Sequence, residues 1–174
     1  LAGSSQCVFA LEISHGEIAG VENFSRTDES RSFAGADVGF GGAIQPEPMQ
    51  EQKGAGFRTV ISLRVDGEEG ETIEASRGAA AEAGLAYVHV PFDMQNPEVQ
   101  AVVEQVGAVA SDEKNQPVFI HCGSATRAAI LWMIGRAQLD GMEIDAAEEE
   151  GMIIAGEPVR ALEFFRTYQV SNSD

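Results

Sequence analysis

A chain of 174 residues, 44% hydrophobic and 22% charged, holds enough apolar material for one ordinary domain with a sizeable core. Its 28 acidic residues against 11 Lys and Arg, a formal net charge of −17, argue against nucleic acid and anionic membrane surfaces as partners. No apolar run nears the roughly 20 residues that span a bilayer, so membrane insertion is not expected.

The chain begins at Leu1 rather than Met, which slightly favours a trimmed or signal-cleaved chain and leaves periplasmic, secreted and cytoplasmic settings open. Two cysteines, Cys7 and Cys122, make no disulfide framework, and both read as thiols. His15, His89 and His121 show no metal-ligand spacing with them, so neither a metal nor a cofactor is expected.

Residues 7–13 form a short apolar run suited to an edge strand, and residues 14–35 are polar and rich in Gly and Ser. Residues 1–35 are therefore expected to be a loosely structured N-terminal extension or edge strand, with one domain over 36–174. Residues 36–44 read as a strand loosened by glycines. Pro46 and Pro48 open a short helix that stops at Gly54-Ala55-Gly56. Residues 59–65 are rich in β-branched side chains and read as a buried strand ending in the acidic turn Asp66-Gly67-Glu68-Glu69.

An Ala- and Glu-rich helix over 71–83 stops at Gly84, and 85–90 is the next strand, closed by Pro91. A helix over 98–111 shows apolar Val99, Val102, Val103, Val106 and Val109. Beyond a strand at 118–121 and a helix at 127–139, a short acidic helix (145–150) and a final one (158–169) complete the chain. Val159, Leu162, Phe164 and Phe165 form the predicted core face of the last helix, and Glu148-Glu149-Glu150 reads as a solvated face. The alternation of strand and helix predicts an α/β fold with a mainly parallel sheet, its ligand site beyond the strands' carboxyl ends.

That position falls on Val118-Phe119-Ile120-His121-Cys122-Gly123-Ser124-Ala125-Thr126-Arg127. An apolar strand ends in His-Cys, small residues follow, and an arginine opens a helix. Loop amides and a helix N-terminus make an anion cradle, and Arg127 offers a planar fork for two oxygens of a tetrahedral oxyanion. A cysteine in such a field is suited to act as a nucleophile. A buried structural Cys at a strand end explains neither the arginine nor the small residues.

This pattern resembles the protein tyrosine and dual-specificity phosphatase signature, except that four residues rather than five separate Cys122 from Arg127. Four is the spacing of the rhodanese sulfurtransferases and of the beta-lactamase hydrolase-like phosphatase-like domain, a domain of unknown function. Gly56 to Arg64 with the turn Asp66-Gly67-Glu68-Glu69, and Ala83 to Pro91, resemble the latter family's two other strands, so the likeness covers roughly residues 37–140. It implies a cysteine-phosphatase-like fold and a cysteine-dependent phosphatase acting on an anionic substrate, a small phosphomonoester or a phosphoprotein.

Within that resemblance Cys122 is the nucleophile that forms a thiophosphate. Arg127 and the amides of Gly123, Ser124, Ala125 and Thr126 hold the phosphate oxygens, and His121 supports the loop and tunes the thiolate. Asp93 stands where these phosphatases place a general acid, with Asp66 or Glu68 in reserve; a helix-terminal charge is the competing reading for Asp93. Two departures bear on activity. Ala128 lacks the hydroxyl many phosphatases carry after the arginine, and Ala125 replaces a loop glycine, at a cost of ~1 kcal/mol or more if φ there is positive. A sulfurtransferase carrying a persulfide on Cys122, and a catalytically weak anion- or partner-binding module, are the alternatives.

Overall fold

The structure, a computed structural model, describes residues 9–14, 17–20, 38–41, 49–68, 72–95, 98–155 and 158–172. Six strands form one sheet: β1 (Phe9–Ser14), β2 (Glu17–Gly20), β3 (Val38–Gly41), β4 (Thr59–Ser62), β5 (Ala86–His89) and β6 (Val118–His121). Their order is β2-β1-β3-β6-β4-β5. The last four in that row are mutually parallel, while β1 and β2 run antiparallel. The fold is a single α/β domain whose parallel four-strand part is flanked by helices.

The helices are α1 (Met49–Gly54), α2 (Ile73–Ala83), α3 (Val99–Ala110), α4 (Thr126–Gln138), α5 (Ile144–Ile154) and α6 (Pro158–Ser171). They fall into two layers because strand side chains alternate between faces. On β6, Val118 and Ile120 join the large core with α3, α4, α5 and α6, whereas Phe119 joins the smaller core with α1 and α2. On β4, Ile61 and Val60 divide in the same way.

Helix α4 is the centre of the larger layer. Every residue from Ala128 to Arg136 is buried, so the helix is enclosed on all sides rather than striped. Trp132 packs edge-on against Phe40 of β3, ring centroids 5.0 Å apart. A helix so enclosed holds its N-terminus, and with it Arg127, fixed against the sheet.

Several expectations meet their outcome here. The helices over 98–111 and 127–139 and the strand at 118–121 stand within a residue of their predicted limits. The glycines that loosen β3 have a packing reason: a Cβ on Gly39 would collide with the Phe57 ring, and one on Gly41 with Phe119. The N-terminal segment supplies the antiparallel pair β1 and β2, which extends the sheet past β3. Cys7, His15 and the prolines at 46, 48 and 97 lie outside the described residues.

Two readings of the tail are corrected. Val159, expected in the core, is 63% exposed, while Phe165 is fully buried and Leu162 and Phe164 are partly so. Packing against α4 selects the 161, 165, 168 stripe of α6 and rotates Val159 outward. The acidic helix is longer than expected, and Glu148 and Glu150 are buried rather than solvated. Each meets an arginine: Glu148 accepts two hydrogen bonds from Arg166 at 2.6 Å, and Glu150 pairs with Arg136. Ion pairing is what permits carboxylates at those depths.

Candidate active site

Strand β6 lies between β3 and β4, and both neighbours fix its end. The Cys122 N–H donates to the Gly41 carbonyl (3.4 Å), and the Leu63 N–H donates to the His121 carbonyl (2.9 Å). The chain then turns through Gly123, Ser124 and Ala125 into α4. Ala125 takes the left-handed conformation, φ 65°, the one non-glycine residue to do so among the described residues. This is the position where the sequence has alanine in place of a loop glycine, so the strain anticipated there is present, ~1–2 kcal/mol.

As N-cap of α4, Ala125 offers no side-chain acceptor to the first-turn amides. Those N–H groups have no partner within the helix and suit an anion. Ser124 Oγ and Thr126 Oγ1 lie 3.0 Å apart, a hydrogen bond within the loop.

Cys122 is fully buried and is a free thiol. Arg127 stands close to it, and the arrangement turns on Glu68. The two Glu68 oxygens accept from both terminal nitrogens of Arg127, Nη1 to Oε2 at 2.9 Å and Nη2 to Oε1 at 2.6 Å. Arg127 Nη1 also donates to the carbonyls of Leu63 (3.3 Å) and Phe92 (3.4 Å). Glu68 is fastened in turn by Arg64 Nε (3.2 Å) and the Val65 N–H (3.1 Å). A Cβ on Gly123 would lie 3.3 Å from Glu68 Oε1, so the carboxylate sits against the loop and a glycine gives it room.

The charges follow from these contacts. Burial alone would raise the Glu68 pKa, but hydrogen bonds from Arg127 and the Val65 N–H, with Arg64 beside them, bring it down to about 2. Burial works against the Arg127 charge too, yet Glu68 and the Cys122 sulfur outweigh it and hold that pKa above its ordinary value. Glu68 is thus an ionised partner of Arg127 at any working pH. The same contacts favour the form of Glu68 without a proton, against its reserve role as a general acid.

His121 points into the smaller core, its ring stacked on Phe119 with centroids 6.3 Å apart. Burial, reinforced by the charges of Arg64 and Arg127, pushes its pKa down to about 3 despite an upward pull from the Cys122 backbone. A neutral ring lends no positive charge to the thiol. Unfolding releases His121 to a value near 6.5, so the unfolded chain binds the extra proton between pH 6.5 and 3. Stability from this residue is full above pH 6.5 and declines as pH falls. Between pH 7.0 and 5.5 the wild type should lose about 1 kcal/mol through His121. Urea midpoints should show this slope reduced in His121→Asn.

Asp93 is exposed, and its Oδ1 accepts from the Gln95 N–H at 2.9 Å, a local turn that holds the carboxylate by its own backbone. It follows Phe92, whose carbonyl touches Arg127, so the backbone reaches the site while the carboxylate serves the turn. Asp66 is exposed in the turn before Glu68. His89 is partly buried, with Nε2 2.7 Å from the Arg64 carbonyl. Among the described residues no group of three or more His, Cys, Asp or Glu is placed to hold a metal ion.

A cleft of about 450 Å3 opens over the loop. Its floor is Ser124, Thr126 and Arg127, and its walls are Met94 on one side and Arg160, Glu163, Phe164 and Thr167 of α6 on the other. Sequence reasoning missed both the Glu68–Arg127 pair and the α6 wall. The four-residue spacing of Arg64 and Glu68 was the available signal for the first; nothing in the sequence points to the second.

Comparison with known proteins bears on the family and the fold. A family model described as "Beta-lactamase hydrolase-like protein, phosphatase-like domain" matches residues 32–139. A beta-lactamase hydrolase-like protein from Xylella fastidiosa is 37% identical over 102 residues, 55% of this chain and 22% of that protein. The chain thus spans about a fifth of that relative's length. Among solved structures, a putative phosphatase from Neisseria meningitidis superposes with a TM-score of 0.60 at 20% identity, covering 81% of this chain and 97% of that one. The core catalytic domain of the PP-IP phosphatase SIW14 from S. cerevisiae, in complex with citrate, also gives 0.60, at 14% identity over 83% and 88%. These likenesses show a cysteine-type phosphatase fold, and the family model, matching more than half of its length, shows that the chain belongs to the beta-lactamase hydrolase-like phosphatase-like domain family.

Proposed function

We propose that the protein is a cysteine-dependent phosphatase that hydrolyses a phosphomonoester through a thiophosphate on Cys122. The observation that carries this reading is the Glu68–Arg127 pair beside the Cys122 sulfur, at the uncapped N-terminus of α4. Glu68 occupies the terminal fork of the guanidinium, which leaves the Nε edge to an oxyanion over the loop. Arg127 and the amides of residues 123–126 stabilise charge as it spreads over the equatorial oxygens.

In the first step the Cys122 thiolate attacks phosphorus, an S–P bond forms and the ester P–O bond breaks. The departing oxygen takes a proton from Asp93 once its turn opens, or from water. Water then attacks the thiophosphate, the S–P bond breaks, and inorganic phosphate leaves with the thiolate restored.

Two features favour sulfur transfer as a second reading. Only four residues span Cys122 to Arg127, which makes a ring suited to a smaller group than phosphate. Position 128 is a fully buried alanine with no hydroxyl for a departing thiolate. The test runs both chemistries on the full chain. A phosphatase hydrolyses a small aryl phosphate and is inhibited by vanadate. A sulfurtransferase makes thiocyanate from thiosulfate and cyanide and gains the mass of one sulfur at Cys122. Tight oxyanion binding with neither turnover would instead select a binding module.

A further inference from the structure

The wall that α6 contributes to the cleft is mixed in character. Phe164 is half-buried, anchored edge-on against Phe92 with centroids 6.0 Å apart, and with Met94 it makes an apolar surface above Thr126 and Arg127. One turn earlier on α6, Arg160 lies on the outer rim and pairs with no carboxylate among the described residues. Arg64, Arg127, Arg136 and Arg166 are each taken up by an acid, while among the described residues Arg58, Arg77 and Arg160 are not, and of those three only Arg160 lines the cleft. Glu163 shares the rim and offsets part of that charge.

The residues that line one cleft together suit a ligand: Arg127 and the loop for one anion, Met94 and Phe164 for an apolar body, and Arg160 for a second anionic group. With Glu163 adjacent, the rim serves one further negative charge and opposes more. A cleft of about 450 Å3 is the size of a small-molecule site. We propose that Arg160 is a specificity-determining residue for a small phosphomonoester with an apolar body and one distal carboxylate; this rests on the phosphomonoester reading only for the group at the floor.

Phenyl phosphate and 4-carboxyphenyl phosphate differ by that distal charge. Calorimetric binding to full-length Cys122→Ser should favour the carboxylated ester about threefold to fivefold, the size of a partly exposed ion pair. Arg160→Ala in that background should erase the preference, Arg160→Lys should keep part of it, and Glu163→Gln should enlarge it. Lys114→Ala, at the opposite end of β6, should leave it unchanged. Equal affinities, or a preference that survives Arg160→Ala, would overturn the proposal. Steady-state turnover of both esters by the wild type separates the two questions. A binding preference without turnover sinks the phosphatase reading and leaves the Arg160 assignment standing, while turnover without preference does the reverse.

Discussion

Serine in place of Cys122 is expected to lower kcat on a small aryl phosphate by at least about 10³-fold, with KM little changed. The structure gives the reason that serine cannot substitute. A hydroxyl needs a base to remove its proton, and the adjacent histidine is not placed to be one. His121 is buried in the smaller core, stacked on Phe119, and neither ring nitrogen completes a hydrogen bond. Glu68, the nearest carboxylate to the loop, is committed to Arg127 and Arg64. Steady-state kinetics with a vanadate control checks the expected fall in kcat. Unchanged turnover in the mutant would place the chemistry elsewhere, and a retained KM would show that the anion cradle survives the loss of sulfur.

The sequence carried the site's chemistry further than its geometry. The Cys122–Arg127 pattern, its place after a central strand and its family likeness were all legible, because they depend on local order along the chain. The contact of Glu68 with Arg127 joins residues 59 positions apart, and the sequence offered Glu68 only as part of an acidic turn and a reserve general acid. Asp93 keeps two readings: its place in the chain suggests an acid for the leaving group or a helix-terminal charge, and its carboxylate accepts from Gln95 two residues on. The tail was read least well. Periodicity over 158–169 offers two faces, and contact with α4, not hydropathy, decides that Phe165 enters the core while Val159 does not. For the same reason the wall of the cleft could not be foreseen.

The family match ends at residue 139, yet α5 and α6 lie beyond it and hold α4, which carries Arg127, in place. The link is Glu150 of α5, which is 2% exposed. Its carboxylate accepts from Trp132 Nε1 (2.6 Å), Arg136 Nε (3.0 Å) and Arg136 Nη2 (3.3 Å), both donors on α4. Arg136 also donates to Asp140 at 2.6 Å, and its pKa is held up against burial by these two carboxylates. Truncation to alanine would leave the buried Arg136 guanidinium with only Asp140 and remove the carboxylate that the Trp132 indole N–H donates to. Breaking a buried pair in this way costs about 3–5 kcal/mol. In a chain of this length, with about 2–4 °C of Tm per kcal/mol, Glu150→Ala should melt roughly 10 °C lower. Glu149→Ala, exposed on the same helix, should stay within about 0.5 kcal/mol of wild type. Thermal unfolding followed by Trp132, the one tryptophan, reports directly on the site of the change. A mutant that melts with the wild type would mean that α4 is held by its apolar contacts alone. Replacing Arg136 by Met, Asp140 by Asn and Glu150 by Leu together should recover part of the loss, since all three charges of the buried cluster are then removed.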